Sequence, residues 1–424
     1  MAMNAVAIYD IGKTNKKVFL FNENYEIIWE RSENFNETTD EDGDPCEDLN
    51  YLTQWILATW QEIKSFVHIQ VKGLNFSTYG ASFVYLNEKG KVLTPLYNYL
   101  KPYPEALNEQ FYAAYGGADA VSLACASPIL GSLNSGLQIY RLKAEQPKVF
   151  NQIRYCLHLP QYLSFFLSGR TCSDITSIGC HTNLWDFTKH SYHEWVNKEG
   201  IDTKLAPIVP ASDVVEIEQG IRVGTGLHDS SSAMIPYMLN FKEPFLLLST
   251  GTWNISLNPF NHILLTNQEL AADCLCYLTY QGSPVKASRL FSGQEHEDEC
   301  FSLAHNWQVP NDYYKTVAYN PNWEKESGQS YESQYHSFIQ TLVNKQVIST
   351  NLILTDSAVK RIFVDGGFSK NEVFMNLLAA AYPEIEIYAA EIPQASALGA
   401  ALVIHQSWNT KPLPNNLISI KKYS

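Results

Sequence analysis

Asp10, Gly12, Lys13 and Thr14 sit in one bend of AIYDIGKTNKKVFLFN (7–22), between two apolar runs. A tight hairpin needs only Asn-Gly or Asp-Gly over two residues, and this bend is longer and richer in donors. Glycine lets main-chain N–H groups come close to an anion, and the Thr hydroxyl and Lys ammonium add further donors for phosphate oxygens. Asp10 would repel a bare phosphate, so its presence calls for a cation; Mg²⁺ bridging Asp10 and the phosphates reconciles the two. A second bend of the same kind lies in PFLLLSTGTWNISLNPF (244–260), with Thr250, Gly251 and Thr252. Either bend alone is an ordinary turn with solvated polar residues. The pair, at matching places in two halves, favours a phosphate grip from two sides.

Two further stretches carry chemistry. In RVGTGLHDSSSAMIPYM (222–238), Asp229 is a good helix N-cap with Ser232 at the third position. A carboxylate held rigidly there also suits a general base, because a hydroxyl attacking phosphorus needs a proton acceptor and little other covalent help. Its neighbour His228 serves either a substrate hydroxyl or packing. In RIFVDGGFSKNEVFMNLLAAAYP (361–383), Gly366 and Gly367 lie between a strand end and a helix whose capping box is Ser369 with Glu372. Val373, Phe374, Leu377, Leu378 and Ala381 form the buried stripe of that helix. Two glycines at such a junction let a flat ligand, such as a nucleoside, lie against the backbone.

The elements that must position these residues follow from periodicity. AVAIYD, KKVFLFN and EIIWERS read as strands, and LTQWILATWQEIKSF as a helix with Trp55, Thr59, Trp60 and Ile63 near one face. The acidic stretch ENFNETTDEDGDPCED between them reads as a solvated loop rather than a ligand site. VKGLNFSTYGASFVYLNEKGKVLTPLYNY reads as strands joined by a hairpin at Asn87–Gly90, and 104–200 as mostly helical. Strands return near 221, and a second block starts after Pro244, so Pro236 to Pro244 is the expected boundary.

Composition narrows the function classes. A chain of 424 residues exceeds one ordinary core, and 45% hydrophobic with 17% charged residues describes a globular protein. A net charge of −14 disfavours nucleic-acid or anionic-membrane partners. The eight cysteines show no CxxC pair and no zinc-finger spacing, so they read as small buried hydrophobes of a reducing compartment. With no signal-peptide pattern and no apolar run of about 18 residues, a cytoplasmic location is expected.

Taken in order, DIGKTNKK, GTGLHDSSSA, LLLSTGTW and VDGGFSKN resemble the motifs of the FGGY carbohydrate kinases, and the resemblance covers most of the chain. LPQYLSFFLSGRTCSDITSIGCHTNLWDF resembles the segment where a Pro-x-Tyr-Leu helix precedes a Ser/Thr-rich stretch. The resemblance implies an α/β, actin-like (ribonuclease-H-like) fold of two domains around a central cleft. Residues 1–240 would bind the sugar and carry the first phosphate loop and the catalytic Asp; residues 241–424 would bind ATP. It also implies the roles: Asp229 as base and Asp10 for Mg²⁺. Gly12, Lys13, Thr14 and Asn15 would face the γ-phosphate, with Thr250, Gly251 and Thr252 on the other phosphates. Gly366, Gly367 and Asn371 would lie near the adenosine, and Gly80, Ala81, His228 and Asp229 near the sugar.

The His-Asp pair and STGTW are most similar to kinases of 6-deoxyketoses such as rhamnulose and fuculose. Ser82 stands where the family often has an acid, and the Asp-x-Arg often found after the following strand is missing from LYNYLKPYP. The chain is also shorter than is usual for the family. The expected activity is phosphorylation of a small ketose at a primary hydroxyl. A pentulose kinase for xylulose or ribulose, a catalytically silent sensor on the same fold, and an actin-like chaperone ATPase are the competing readings. Lys16 and Lys17 read as solvated, and the oligomeric state is not legible.

Overall fold

The computed structural model describes residues 2–326 and 330–424. The chain divides into two compact units. The first takes the chain up to Met238, together with Cys276–Pro284 and Gln394–Asn415; the second takes Leu239–Leu275, Val285–Pro393 and Asn416–Ser424.

In the first unit the apolar opening of the chain forms the strand Met3–Ile11, which pairs antiparallel with Asn15–Asn22 and parallel with Ile69–Thr78. The sheet runs Val214–Glu216, Arg222–Gly224, Ile69–Thr78, Met3–Ile11, Asn15–Asn22, Ile27–Asn34. Ala5 to Tyr9 are buried without alternation, as expected of a strand covered on both faces. Helix Leu49–Lys64 covers one face with Trp55, Ile56, Trp60 and Ile63, its start fixed by Asp48, whose side chain accepts the Tyr51 N–H at 2.9 Å. Helices of the 104–200 segment build a second core around Phe111, Tyr140 and Trp195.

The second unit repeats the plan. Phe245–Thr250 pairs antiparallel with Asn254–Asn258 and parallel with Arg361–Gly366, which in turn pairs parallel with Glu386–Glu391. The echo between the two bends is therefore an echo between two sheets.

Four local expectations are corrected. The acidic stretch is not simply solvated: Asp40 is buried, its Oδ1 accepts the N–H groups of Asp42 and Asp44 at 3.0 Å, and its Oδ2 pairs with Lys101. Lys101 also pairs with Asp42 at 2.7 Å and Asp44 at 3.3 Å, so an ammonium already sits among these carboxylates. Lys16 is not solvated either: it is 1% exposed and bonds Glu47 and the Lys13 carbonyl, each at 2.9 Å. The helix after the double glycine starts at Glu372 with Asn371 as its cap, because Gly367–Lys370 first makes a 3₁₀ turn closed by the Ser369 hydroxyl on the Gly366 carbonyl at 2.8 Å.

Pro236 is likewise no linker residue, since it lies inside helix Asp229–Asn240. Lacking an N–H, it leaves the Ser232 carbonyl without its helical donor. Gly399, in helix Ala395–Val403, packs against that carbonyl so closely that a Cβ would lie 1.9 Å from the oxygen.

Candidate active site

Asp10 lies near the end of the first strand, opposite Lys17 on one side and Ser77 on the other. Its Oδ2 accepts the Ser396 hydroxyl at 2.9 Å. Burial pushes its carboxyl up to about 6; the Ser396 bond opposes that rise, the nearby negative charge of Asp229 adds to it, and Lys17 works against it. Lys17 itself is half-buried and reaches Gln394 at 3.4 Å.

Asp229 is the first residue of its helix, directly after the two-residue strand Leu227–His228, which pairs with Ser77 and Thr78. Its Oδ1 accepts the Ser230 N–H at 2.6 Å and lies 3.2 Å from His228 Nε2. Although 36% of its side-chain surface is open, the surrounding protein desolvates the carboxylate and pushes it up to about 6. Burial holds His228 down at about 3, so its ring is neutral and the Nε2 contact is a hydrogen bond rather than an ion pair. Nδ1 is buried with no partner among the described residues. An N–H there would be an unpaired buried donor, so the neutral ring carries its proton on Nε2.

Gly80 packs on that ring: a Cβ would lie 2.8 Å from His228 Cδ2 and 3.1 Å from Cys180 Sγ. Ala81 has φ 62°, a left-handed conformation costly for a residue with a Cβ, and Gln138 holds its carbonyl at 2.7 Å. Ser82 turns its hydroxyl toward the Tyr97 carbonyl at 3.4 Å. Beside this loop is a shallow, open depression lined among others by Asp42, Asn98, Lys101, Gln138 and Arg141. In the first bend, the Gly12 N–H bonds the Asn15 carbonyl at 2.9 Å, Thr14 and Asn15 are exposed, and the Lys13 ammonium pairs with Glu37 at 2.5 Å.

The second unit holds a separate group. Gly366 (φ 87°) meets Thr250 so closely that a Cβ would lie 1.9 Å from the Thr250 carbonyl oxygen. The Thr250 hydroxyl is committed to the Asp365 carbonyl at 2.5 Å and the Phe368 N–H at 3.0 Å. Gly251 and Thr252 are exposed, and nothing lies within 4 Å of a Cβ built on Gly367. Asn371 caps its helix and donates to the Tyr335 hydroxyl at 2.7 Å, so its side chain is engaged within the fold.

The first unit thus gathers Asp10, His228, Asp229 and Gly80, and the second gathers Thr250, Gly251, Gly366 and Gly367. Sequence reasoning passed over Ser396, which is 386 positions from Asp10 and marked only by the small-residue run ASALGAA. It also passed over Gln138, and over Ser292 and Gly293 at the start of helix Gly293–Trp307. A Cβ on Gly293 would lie 2.1 Å from the Gly251 carbonyl, and the buried Ser292 hydroxyl has no partner among the described residues.

The FGGY carbohydrate kinase N-terminal domain matches residues 5–234, and the FGGY C-terminal domain matches 242–412. A rhamnulokinase of Mannheimia succiniciproducens is 25% identical over 272 residues, covering 60% of this chain and 54% of that protein. An L-fuculokinase of Salmonella typhi is 23% identical over 198 residues, covering 44% and 41%. The chain thus spans about half the length, or less, of these curated relatives. Among solved structures, a carbohydrate kinase from Novosphingobium aromaticivorans superposes with TM-score 0.83 at 23% identity, covering 98% of this chain and 96% of that one. A xylulose kinase from Lactobacillus acidophilus gives TM-score 0.83 at 14% identity, covering 99% and 94%. The fold is the actin-like one of these kinases, and the chain belongs to the FGGY family of carbohydrate kinases.

Proposed function

We propose that the chain transfers the terminal phosphoryl group of ATP to a primary hydroxyl of a small ketose, a 6-deoxyketose such as rhamnulose or fuculose. The observation that carries this reading is Asp229: a desolvated carboxylate, raised to about 6, held at a helix start beside a neutral His228 and near a second acid. A base of that pKa is ionised at neutral pH, yet basic enough to take a hydroxyl proton as the oxygen attacks phosphorus. Substrate class is supported by the names of the rhamnulokinase and L-fuculokinase relatives.

Asp229 would accept the proton, with Oδ1 already anchored by Ser230 and His228. His228, with Nδ1 buried, would act on the sugar through the Asp229 carboxylate that its Nε2 contacts. The exposed main chain of Gly251, Thr252 and Gly367 would carry the nucleotide on the second unit. Asp10 fits a divalent cation, since it is a carboxylate kept costly by burial and by the like charge of Asp229, and a cation relieves both. When bound, Mg²⁺ would neutralise charge on the phosphates.

A pentulose substrate is the second reading, favoured by the xylulose kinase among the similar folds. The test is ADP release with ATP and Mg²⁺ over L-rhamnulose, L-fuculose, D- and L-xylulose and D- and L-ribulose, with glycerol as control. Stimulation by one ketose, lost in Asp229→Asn, is expected. Equal ADP release by Asp229→Asn would overturn the assignment of the base, and silence across the panel with ATP still bound would favour a sensor.

A further inference from the structure

A short segment of the first unit, Asp174 to Cys180, grips His228 at two points. On the ring side, Cys180 Sγ lies 3.0 Å from His228 Nε2. On the main-chain side, the His228 N–H donates to the Thr176 hydroxyl oxygen at 3.0 Å. Thr176 is itself fixed: its own N–H donates to Asp174 Oδ1 at 2.9 Å, and its hydroxyl donates to the same oxygen. Asp174 and Thr176 are both 0% exposed, and the main-chain N–H groups of Ile175 and Ser177 also converge on the Asp174 carboxylate.

The order of these bonds matters. A free Thr hydroxyl rotates and can donate to any carbonyl within reach. With its proton committed to Asp174, Thr176 can only present lone pairs to the N–H of His228. That N–H belongs to a two-residue strand joined to the sheet by two residue pairs, so the bond to Thr176 is a further tie on its path. Asp229 follows immediately, and the direction in which its carboxylate leaves the chain is set by the φ and ψ of these residues.

We propose that Asp174 and Thr176 are positioning residues for the base, a relay that fixes the His228 main chain and so aims the Asp229 carboxylate at the attacking hydroxyl. The proposal rests on the reading of Asp229 as base. Neither residue touches substrate; they act through His228. The relay needs an acceptor at 174 and a hydroxyl at 176, not a charge, so Asp174→Asn and Thr176→Ser preserve it. Asp174→Ala and Thr176→Val break it.

The experiment uses the full chain and two readouts. The first is amide exchange by mass spectrometry without ligands: Thr176→Val is expected to speed exchange at His228 to Ser230 by at least tenfold, with strand Phe245–Thr250 unchanged. The second is turnover of ATP with the ketose most active in the panel above. Thr176→Val is expected to lose about 10- to 100-fold in kcat, with KM for ATP within twofold, because a misaimed base slows chemistry and leaves nucleotide binding intact. Thr176→Ser should recover kcat to within threefold.

Should Thr176→Val fail to fold, Asp174→Ala against Asp174→Asn reads the same quantities. A folded Thr176→Val with kcat within threefold of the parent overturns the relay, as does a kcat loss matched by a proportional rise in KM for ATP. Activity retained by Asp229→Asn would remove the base and the reading beneath this proposal. The exchange measurement would still show whether the relay holds the chain.

Discussion

Two carboxylates of the first unit, Asp10 and Asp229, are each raised to about 6 by desolvation. Asp10 is destabilising by design: burial raises its carboxyl to about 6, so it costs stability wherever it is ionised. A folded-state pKa above the unfolded one, about 3.8 for this group, means that its stabilising contribution is complete below pH 3.8 and lost as pH rises through about 6. Asp10→Asn is therefore expected to melt higher than the parent at pH 7.5 in EDTA, with the difference vanishing by pH 4, while Mg²⁺-dependent turnover is lost. Differential scanning calorimetry at the two pH values checks it. For Asp229 the sign works on activity: kcat should climb as pH rises through about 6 and level off above, since only the ionised carboxylate accepts a proton. A flat profile from pH 5 to 8 would speak against that base. Lys16 and Glu47, with side chains 2% and 4% exposed, form the opposite case, a satisfied buried pair. Lys16→Met alone strands Glu47 and should cost about 3–5 kcal/mol, whereas Lys16→Met with Glu47→Leu should recover most of it in urea unfolding.

At the level of elements, helix Ala395–Val403 ties together the surroundings of Asp10 and Asp229. Ser396 at its start reaches Asp10, while its Ser396 carbonyl accepts the Ser232 hydroxyl at 2.7 Å, and Ser232 is on the helix that begins with Asp229. The Ala400 carbonyl accepts from Asn75 at 2.9 Å, and Asn75 also receives the Gly226 N–H at 3.0 Å, one residue before the strand that leads to Asp229. Both acids are thus braced by one helix. The close approach depends on Pro236 and Gly399, one removing a donor and the other a Cβ. Gly399→Ala places a methyl 1.9 Å from the Ser232 oxygen and should cost about 1–3 kcal/mol or more, with kcat falling further than stability alone explains. Denaturant midpoints paired with turnover would separate the two effects. Of this arrangement the sequence displayed the turn chemistry before Asp229 but not the helix that braces it, because the partners lie more than 160 positions apart.

At the scale of the molecule, the first unit is built from three separated stretches of chain, and none of the described helices is long and apolar enough to cross a membrane. Without Gln394–Asn415, this unit would lose Ser396 from Asp10, Ala400 from Asn75, and His405 from the Tyr25 hydroxyl at 2.5 Å. A fragment of residues 1–240 is therefore expected to show helical far-ultraviolet circular dichroism without a cooperative thermal transition, and a cooperative melt would refute this. What the sequence by itself determined is what neighbouring residues encode. The two donor-rich bends, the strand–glycine–helix junctions, the opening strands and the repeat of one plan in two halves all follow from turn chemistry and periodicity. Those signals act over a handful of positions, and they were enough to single out Asp10, Asp229, Gly251 and Gly366. Only the tertiary structure decided which polar groups lose water and which distant groups then meet them. Burial turned Lys16 from a surface charge into half of an ion pair, committed Thr250 and Asn371 to holding the fold, and set Ser396, Asp174 and Thr176 around the two acids. Desolvation and long-range contact depend on residues from about 30 to 386 positions away, and no local pattern carries that information.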